Sequence, residues 1–251
     1  MKAIVKALIR KAGFIAMRQS SRVYLPEDDS YRVALEQCAG DAPVIIDGGA
    51  HKGGTVDAFR AIAPSAEFHC FEPDATLAAD LLARFAGDRH VHVIAAALGE
   101  EPGTAVFNIN VSRPTNSLLP AAEGLQSDLQ GLCQTVEKVE VAVTSIDAYC
   151  AQQGLSRIDI VKLDLQGYDY RALVGAKNTM QAARVVLVEV LFTEIYRGCH
   201  LFPDVLGLMA EYGFRLFTLS GIHYGSRAEL LWADAIFVRD ERRTGAAAAA
   251  A

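Results

Sequence analysis

The chain has 251 residues, with 24 Lys and Arg against 30 Asp and Glu and a formal net charge of -6. That balance excludes the broadly basic surface of a nucleic-acid binder. Five cysteines (Cys38, Cys70, Cys133, Cys150 and Cys199) make an odd set without C-x-x-C spacing, so neither a disulfide framework nor structural zinc is expected, and a reducing, cytoplasmic compartment is.

Residues 1–42 are expected to form an amphipathic helix and a linking helix. The first 26 residues hold six basic side chains, Lys2, Lys6, Arg10, Lys11, Arg18 and Arg22, and no acid. Wound as a helix, they put Ile4, Val5, Leu8, Ile9, Ala12 and Ile15 on one face and Lys2, Lys6 and Arg10 on the other. The charges interrupt every apolar run, which excludes a membrane span or a signal peptide. Two readings stand: the apolar face packs on the domain or on a second copy in a homodimer, or residues 1–26 lie on the anionic inner face of a membrane that holds a lipid-linked substrate.

Tyr31–Ala39 reads as the linking helix, and residues 43–240 as one α/β domain, because strand-like and helix-like runs alternate without a Pro/Ser-rich linker. Val44-Ile45-Ile46 is the first strand. It runs into Asp47-Gly48-Gly49-Ala50-His51-Lys52-Gly53-Gly54, after which Thr55–Arg60 begins a helix. Glycines let backbone approach a ligand, and a helix start offers free N–H groups. The order Asp47-x-Gly49-x-x-x-Gly53 is not the G-x-G-x-x-G of a dinucleotide site, and an acid ahead of the turn repels a pyrophosphate. It suits a cationic ligand carrying an amino group and a sulfonium, such as S-adenosylmethionine. Glu72, at the end of the next strand in Glu67–Asp74, is placed to accept both ribose hydroxyls.

Thr76–Phe85 is a helix with Thr76 as its cap, Val91–Ala97 a third strand, and Leu98–Gly103 a turn. Thr104–Val111 and Val136–Val143 alternate like half-exposed strands and are expected to pair as an antiparallel ribbon. Between them, Ser112–Cys133 loses both periodicities apart from a short helix at Leu125–Leu132. A loop of that length is expected to face the substrate, with Asn116 and Ser117 as hydroxyl partners. Thr144–Asp147 opens a helix through Gln153. Ile158–Leu165 is the fourth core strand, with Lys162 and Asp164 on one side. Gln166–Asp169 turns into a helix ending near Gly175. Arg184–Leu191 is the fifth strand and delivers Glu189; Pro203–Tyr212 is a helix closed by Gly213. Arg215–Leu219 and Leu230–Val238 are the last strands, joined by a Ser220–Ser226 loop, and residues 241–251 are a low-complexity, disordered tail.

Together, Ile46–Gly53, Phe71-Glu72-Pro73, Ala97-Leu98-Gly99, Thr144–Asp147, Val161-Lys162-Leu163-Asp164-Leu165-Gln166-Gly167-Tyr168-Asp169 and Val188-Glu189-Val190 resemble the FkbM family of S-adenosylmethionine-dependent methyltransferases, over roughly Val44 to Val238. The resemblance implies a Rossmann-like class I fold: a seven-stranded, mostly parallel sheet with the last strand antiparallel and the cofactor at its carboxyl edge. It implies cofactor contacts from Asp47, Gly48, Gly49, Ala50, His51, Gly53, Glu72, Pro73, Ala97 and Asp164. It further implies O-methylation of a small-molecule or glycan acceptor: a sugar, a glycolipid or a related natural product. Two positions depart from the family pattern. His51 stands where Asn is more usual, and Gln166 stands where many members carry Glu, which removes one candidate acid.

An alcohol must lose a proton to accept a methyl group, so a base or a metal belongs near the transfer site. Asp164 is the first candidate base, with Lys162 holding it ionised. His223 and His200, read as loop residues, are further candidates, whereas His69 and His92 alternate with apolar residues and read as structural. Asp164 and Glu189 are the candidate pair for a shared Mg²⁺. Tyr168, Tyr196, Tyr224 and Trp232 are candidates for a sugar-binding wall. Two rival functions remain: a non-catalytic binder or scaffold that keeps the cofactor pocket, and a dinucleotide oxidoreductase, against which the glycine spacing speaks.

Overall fold

The computed structural model describes residues 27–241 apart from Ala39 and Asp41. The expected amphipathic helix of residues 1–26 and the tail from residue 242 lie outside the described residues. Helix α1 (Glu27–Glu36) precedes β1 (Val44–Gly48), α2 (Gly54–Arg60), β2 (Glu67–Phe71), α3 (Ala75–Arg84) and β3 (Val91–Ile94). Then come β4 (Ala97–Leu98), β5 (Gly103–Asn110), α4 (Ser127–Leu132), β6 (Thr135–Thr144), α5 (Ile146–Gln153), β7 (Ile160–Leu163) and α6 (Asp169–Val174). The last four elements are β8 (Val185–Leu191), α7 (Phe202–Glu211), β9 (Phe214–Tyr224) and β10 (Leu230–Arg239).

Seven strands form one sheet in the order β3-β2-β1-β7-β8-β10-β9, parallel except for β10, which runs antiparallel to both neighbours. Its strands are apolar on both sides, and period two divides them between two cores. Ile46, Val161, Val186 and Val188 face the layer of α5 and α7, while Ile45, Ile160, Val185 and Leu187 face α1 and α2. Each such fully buried side chain stabilises the fold by about 1.5–3 kcal/mol relative to exposure. The expected ribbon forms: β5 pairs antiparallel with β6, and β4 joins as a third, parallel strand.

Boundaries differ from expectation where tertiary pairing decides them. Asp74, not Thr76, caps α3, because its carboxylate accepts from the Thr76 and Leu77 amides at 2.9 and 3.3 Å. The chain leaves the main sheet at Ile94, and Ala97–Leu98 pairs with β6 instead. The expected Ser220–Ser226 loop is strand as far as Tyr224, because β10 pairs with β9 through bulges out to Leu230–Tyr224. Helix α1 starts at Glu27 and stops at Glu36, before the expected end at Ala39.

Candidate active site

At the carboxyl edge of the sheet, β1, β2 and β7 end around a cavity roofed by residues from β5 and from the segment after it. Such an edge is where open α/β sheets hold ligands. The cavity measures about 140 Å³, below the roughly 300–1,000 Å³ of small-molecule pockets. A nucleoside-sized ligand therefore extends into the open mouth or displaces part of the roof.

On the β1 side, the glycine turn reaches the cavity through Gly49 and His51. Gly49 has φ of +77°, and a Cβ there would lie 2.1 Å from the Asp164 carbonyl oxygen, so only glycine lets this turn lie against the end of β7. The Gly49 and Ala50 amides donate to the Phe71 carbonyl at 3.0 and 3.1 Å, which fastens the turn to β2. Gly53, at φ of +82°, starts α2 behind the cavity, with its Cα packed near the Phe85 ring.

Glu72 lies across from this turn and is 5% exposed. Its Oε2 accepts from the His51 amide at 2.8 Å and its Oε1 from the Asp74 amide at 2.9 Å. Burial pushes its carboxyl up to about 7 despite those two amides, which pull it down. Burial, with Lys52 beside it, lowers the His51 imidazole. Phe71, Leu77, Leu98 and Phe107 supply apolar wall, and Pro73 and Ala97 also reach the cavity.

Asp164 follows the end of β7 and closes the opposite side, with 41% of its side chain exposed. Two side chains hold it. The Gln166 amide nitrogen donates to its Oδ1 at 2.7 Å, and the Lys162 ammonium lies 3.8 Å from its Oδ2. The same Gln166 nitrogen donates to Glu189 Oε2 at 3.0 Å, while Gln166 Oε1 accepts from the Tyr196 hydroxyl at 2.5 Å. Every polar position of the amide that this chain needs is thus used, in a non-glycine residue at φ of +53°, a conformation that costs of order 1–3 kcal/mol. Asp169 fixes the turn by accepting from the Leu165 and Gly167 amides at 3.0 and 3.2 Å. Burial raises the Glu189 carboxyl well above its usual range, with Asp164, Asp169 and Asp234 adding to the effect. The pair therefore divides into a Glu189 carboxyl raised by burial and a solvent-facing Asp164.

Several expected site residues lie elsewhere. Asp47 is fully buried and faces Lys162, whose Nζ is 3.8 Å from its Oδ1, because the two are register partners on β1 and β7. It therefore supplies no wall to the cavity, and neither do Gly48, Ala50 or Gly53; Gly48 packs beneath it on Leu163 and Leu98. Lys162 is buried between Asp47 and Asp164, and those carboxylates raise its ammonium against the lowering effect of burial. It acts on Asp164 and does not reach an acceptor. His223 is a strand residue: its Nδ1–H donates to the Gly221 carbonyl at 2.7 Å and its ring stacks on Trp232 at 4.4 Å. His200 stacks on Tyr170 at 3.9 Å. Neither histidine lines the cavity. Between Asp164 and Glu189 the Gln166 amide takes the position a shared Mg²⁺ would need, so nothing in the geometry supports that ion. Of the four aromatics, Tyr168 lines the cavity, Tyr196 lies buried under its floor and Tyr224 is exposed.

Asn116 and Ser117, expected as hydroxyl partners of the substrate, instead anchor the roof, together with Arg113, which sequence reading passes over. Arg113 pairs with Asp74 Oδ2, and Asn116 reaches the same oxygen at 3.4 Å. Ser117 Oγ donates to the Gln166 carbonyl at 2.8 Å. One roof segment is thereby tied to the cap of α3 on one side and to the Gln166 turn on the other. Only the length of the aperiodic stretch signalled it.

The lining, though not the volume, suits a nucleoside with a cationic end. It offers an apolar slot, a buried carboxylate at the end of β2 for a diol, and a second carboxylate across from it. Residues 47–216, well over half of the chain, match the methyltransferase FkbM domain. A curated relative, 2-O-methyltransferase NoeI of Sinorhizobium fredii, is 25% identical over 183 residues, covering 68% of this chain and 72% of its own. The crystal structure of methyltransferase FkbM from Methylobacillus flagellatus KT superposes with a TM-score of 0.54 at 15% identity, over 86% of this chain. This chain spans about half the length of that protein, 48%, and the likeness shows a shared fold. With the motifs, the sheet order and the family match in agreement, the chain belongs to the FkbM family of S-adenosylmethionine-dependent methyltransferases.

Proposed function

We propose that this protein transfers a methyl group from S-adenosylmethionine to a hydroxyl oxygen of a sugar, glycolipid or related natural product. The observation that carries this reading is the pair of unlike carboxylates facing each other across one cavity: Glu72, buried and held by backbone amides, and Asp164, half-exposed and held by side chains. The name of the rhizobial relative, a 2-O-methyltransferase, supports the oxygen acceptor.

When bound, the cofactor would supply a methyl group made electrophilic by a positively charged sulfur, which would keep the carbon–sulfur bonding pair and leave as a neutral thioether. Glu72 is the acceptor for the ribose hydroxyls, and Gly49, lacking a side chain, leaves the turn open to the cavity. Asp164 takes the proton that the acceptor hydroxyl sheds as its oxygen bonds to carbon. Gln166 and Lys162 hold Asp164 in one orientation, and burial disfavours a second negative charge on Glu189 beneath it. Much of the acceleration of an in-line displacement comes from holding the reacting atoms in register, which suits a site fixed by this many hydrogen bonds.

Incubation of the full chain with S-adenosylmethionine and a glycan extract, with release of S-adenosylhomocysteine as the readout, tests the activity. Acceptor-dependent release that disappears in Asp164→Asn supports it. Cofactor binding without release on any hydroxylated acceptor would leave a non-catalytic binder as the better description.

A further inference from the structure

At the other end of the sheet, away from the cavity, three side chains meet on one face of β2 and β3. Glu67 and His69 are two residues apart on β2 and so share a face. His92 is the register partner of His69 on the edge strand β3. The imidazole rings stack with centroids 4.8 Å apart, and both Nε2 atoms turn toward Glu67 Oε1, at 3.5 Å for His69 and 3.3 Å for His92. One donor atom from each of the three lies within 4.8 Å of the others.

Hydrogen bonding does not account for this arrangement. Charge-assisted N–H···O⁻ contacts close to about 2.7–2.9 Å, and His69 Nε2 is buried without a hydrogen-bond partner although the residue is only 3% exposed. Its Nδ1 is engaged, 2.8 Å from the Tyr149 hydroxyl on α5. An imidazole metal ligand usually has its other ring nitrogen held by a polar partner, and the Tyr149 hydroxyl takes that place here. The two separations from Glu67 Oε1, 3.5 and 3.3 Å, match ligands at 2.0–2.2 Å from a tetrahedral ion, which are about 3.3–3.6 Å apart.

We propose that Glu67, His69 and His92 form a site for a borderline divalent transition-metal ion of the zinc class, which clips the edge strand β3 to β2. Two imidazoles and one carboxylate select such an ion over Mg²⁺ or Ca²⁺, which take oxygen donors. Glu67 and His92 are 38% and 45% exposed, so an ion enters from solvent and a water completes its shell. The clip lies on the strand that ends at Phe71, one residue before Glu72, and it ties down a sheet edge that is otherwise held from one side only.

Titration of the full chain with Co²⁺, read by visible absorption, and with Zn²⁺ in competition with a chromophoric chelator tests the site. One equivalent is expected, with the intense visible bands of four-coordinate Co²⁺, and Zn²⁺ is expected to raise Tm. His92→Ala and Glu67→Gln, both at partly exposed positions, should each weaken the metal at least tenfold and abolish the Tm shift while leaving S-adenosylmethionine binding unchanged. That unchanged binding certifies the fold without use of the buried His69. Absence of the Co²⁺ bands in the unaltered chain, or equal metal affinity in both variants, would overturn the proposal.

Discussion

Glu72 and Asp164 are carboxylates on two sides of one cavity, and they are held in different ways. Glu72 is nearly fully buried and receives two main-chain amides, so its position follows from the backbone of the first turn and of the α3 start. Asp164 is half-exposed and is held by Gln166 and Lys162, side chains whose own positions depend on Tyr196, Glu189 and Asp47. Backbone-held groups keep one geometry and suit binding. Side-chain-held groups sit in a network that tunes charge, and suit proton transfer.

Removing the acting carboxylate gives the largest expected effect. Asp164→Asn keeps the shape and removes the base, and kcat should fall by about 10²–10⁴, the range of general-base catalysis, in an S-adenosylhomocysteine release assay. Next is the network that holds it. Gln166→Leu leaves the Tyr196 hydroxyl and two carboxylates without a shared partner, and a lost buried hydrogen bond costs about 1–3 kcal/mol. We expect kcat to fall roughly 10- to 100-fold on that basis, with the pH profile of kcat displaced, whereas a merely structural defect would lower Tm and leave the profile in place.

The binding side is broken by protons. The Glu72 carboxyl is raised to about 7, so it is mostly protonated at pH 6 and mostly ionised at pH 8. If ribose hydroxyls donate to the ionised form, as proposed, a proton must leave on binding at the lower pH. Calorimetry should show S-adenosylmethionine binding about tenfold weaker at pH 6 than at pH 8, with proton release, and Glu72→Gln should flatten that dependence. A flat dependence in the unaltered chain would detach Glu72 from the cofactor. The smallest effect is expected at the roof: Arg113 is 44% exposed although its partner Asp74 is buried, which puts the pair near the upper end of the roughly 0–1 kcal/mol of exposed pairs. Arg113→Ala should raise KM a few-fold at most and leave kcat unchanged.

The same contrast explains what was legible in the sequence. Val44–Ile46 and the glycine turn are local signals, as is Glu72 ending the next strand, and the structure places them where a period-two strand and a tight turn require. The seven-stranded sheet with one antiparallel strand was what the family resemblance implied, and the added ribbon followed from the period-two alternation of Thr104–Val111 and Val136–Val143. Asp47 was misplaced because its facing is decided by pairing with Lys162 on a strand more than a hundred residues away. Gln166 read as the loss of an acid, since nothing nearby in the chain announces that Tyr196 and Glu189 converge on it. His223 read as a loop residue because the pairing that draws β9 out to Tyr224 comes from the far side of a hairpin. Arg113 and Asn116 belonged to a segment with no periodicity, and their common partner Asp74 lies some forty residues earlier.

A paired measurement on Glu72→Gln and Asp164→Asn, with S-adenosylmethionine affinity by calorimetry beside turnover at saturating cofactor, tests the division between the two carboxylates most directly. The account predicts that Glu72→Gln loses affinity and keeps most of its turnover once saturated, while Asp164→Asn binds nearly as the unaltered chain does and turns over little. If Asp164→Asn retained turnover, or if the two substitutions lost binding and turnover together, the two carboxylates would not be doing separate jobs and the assignment would be contradicted.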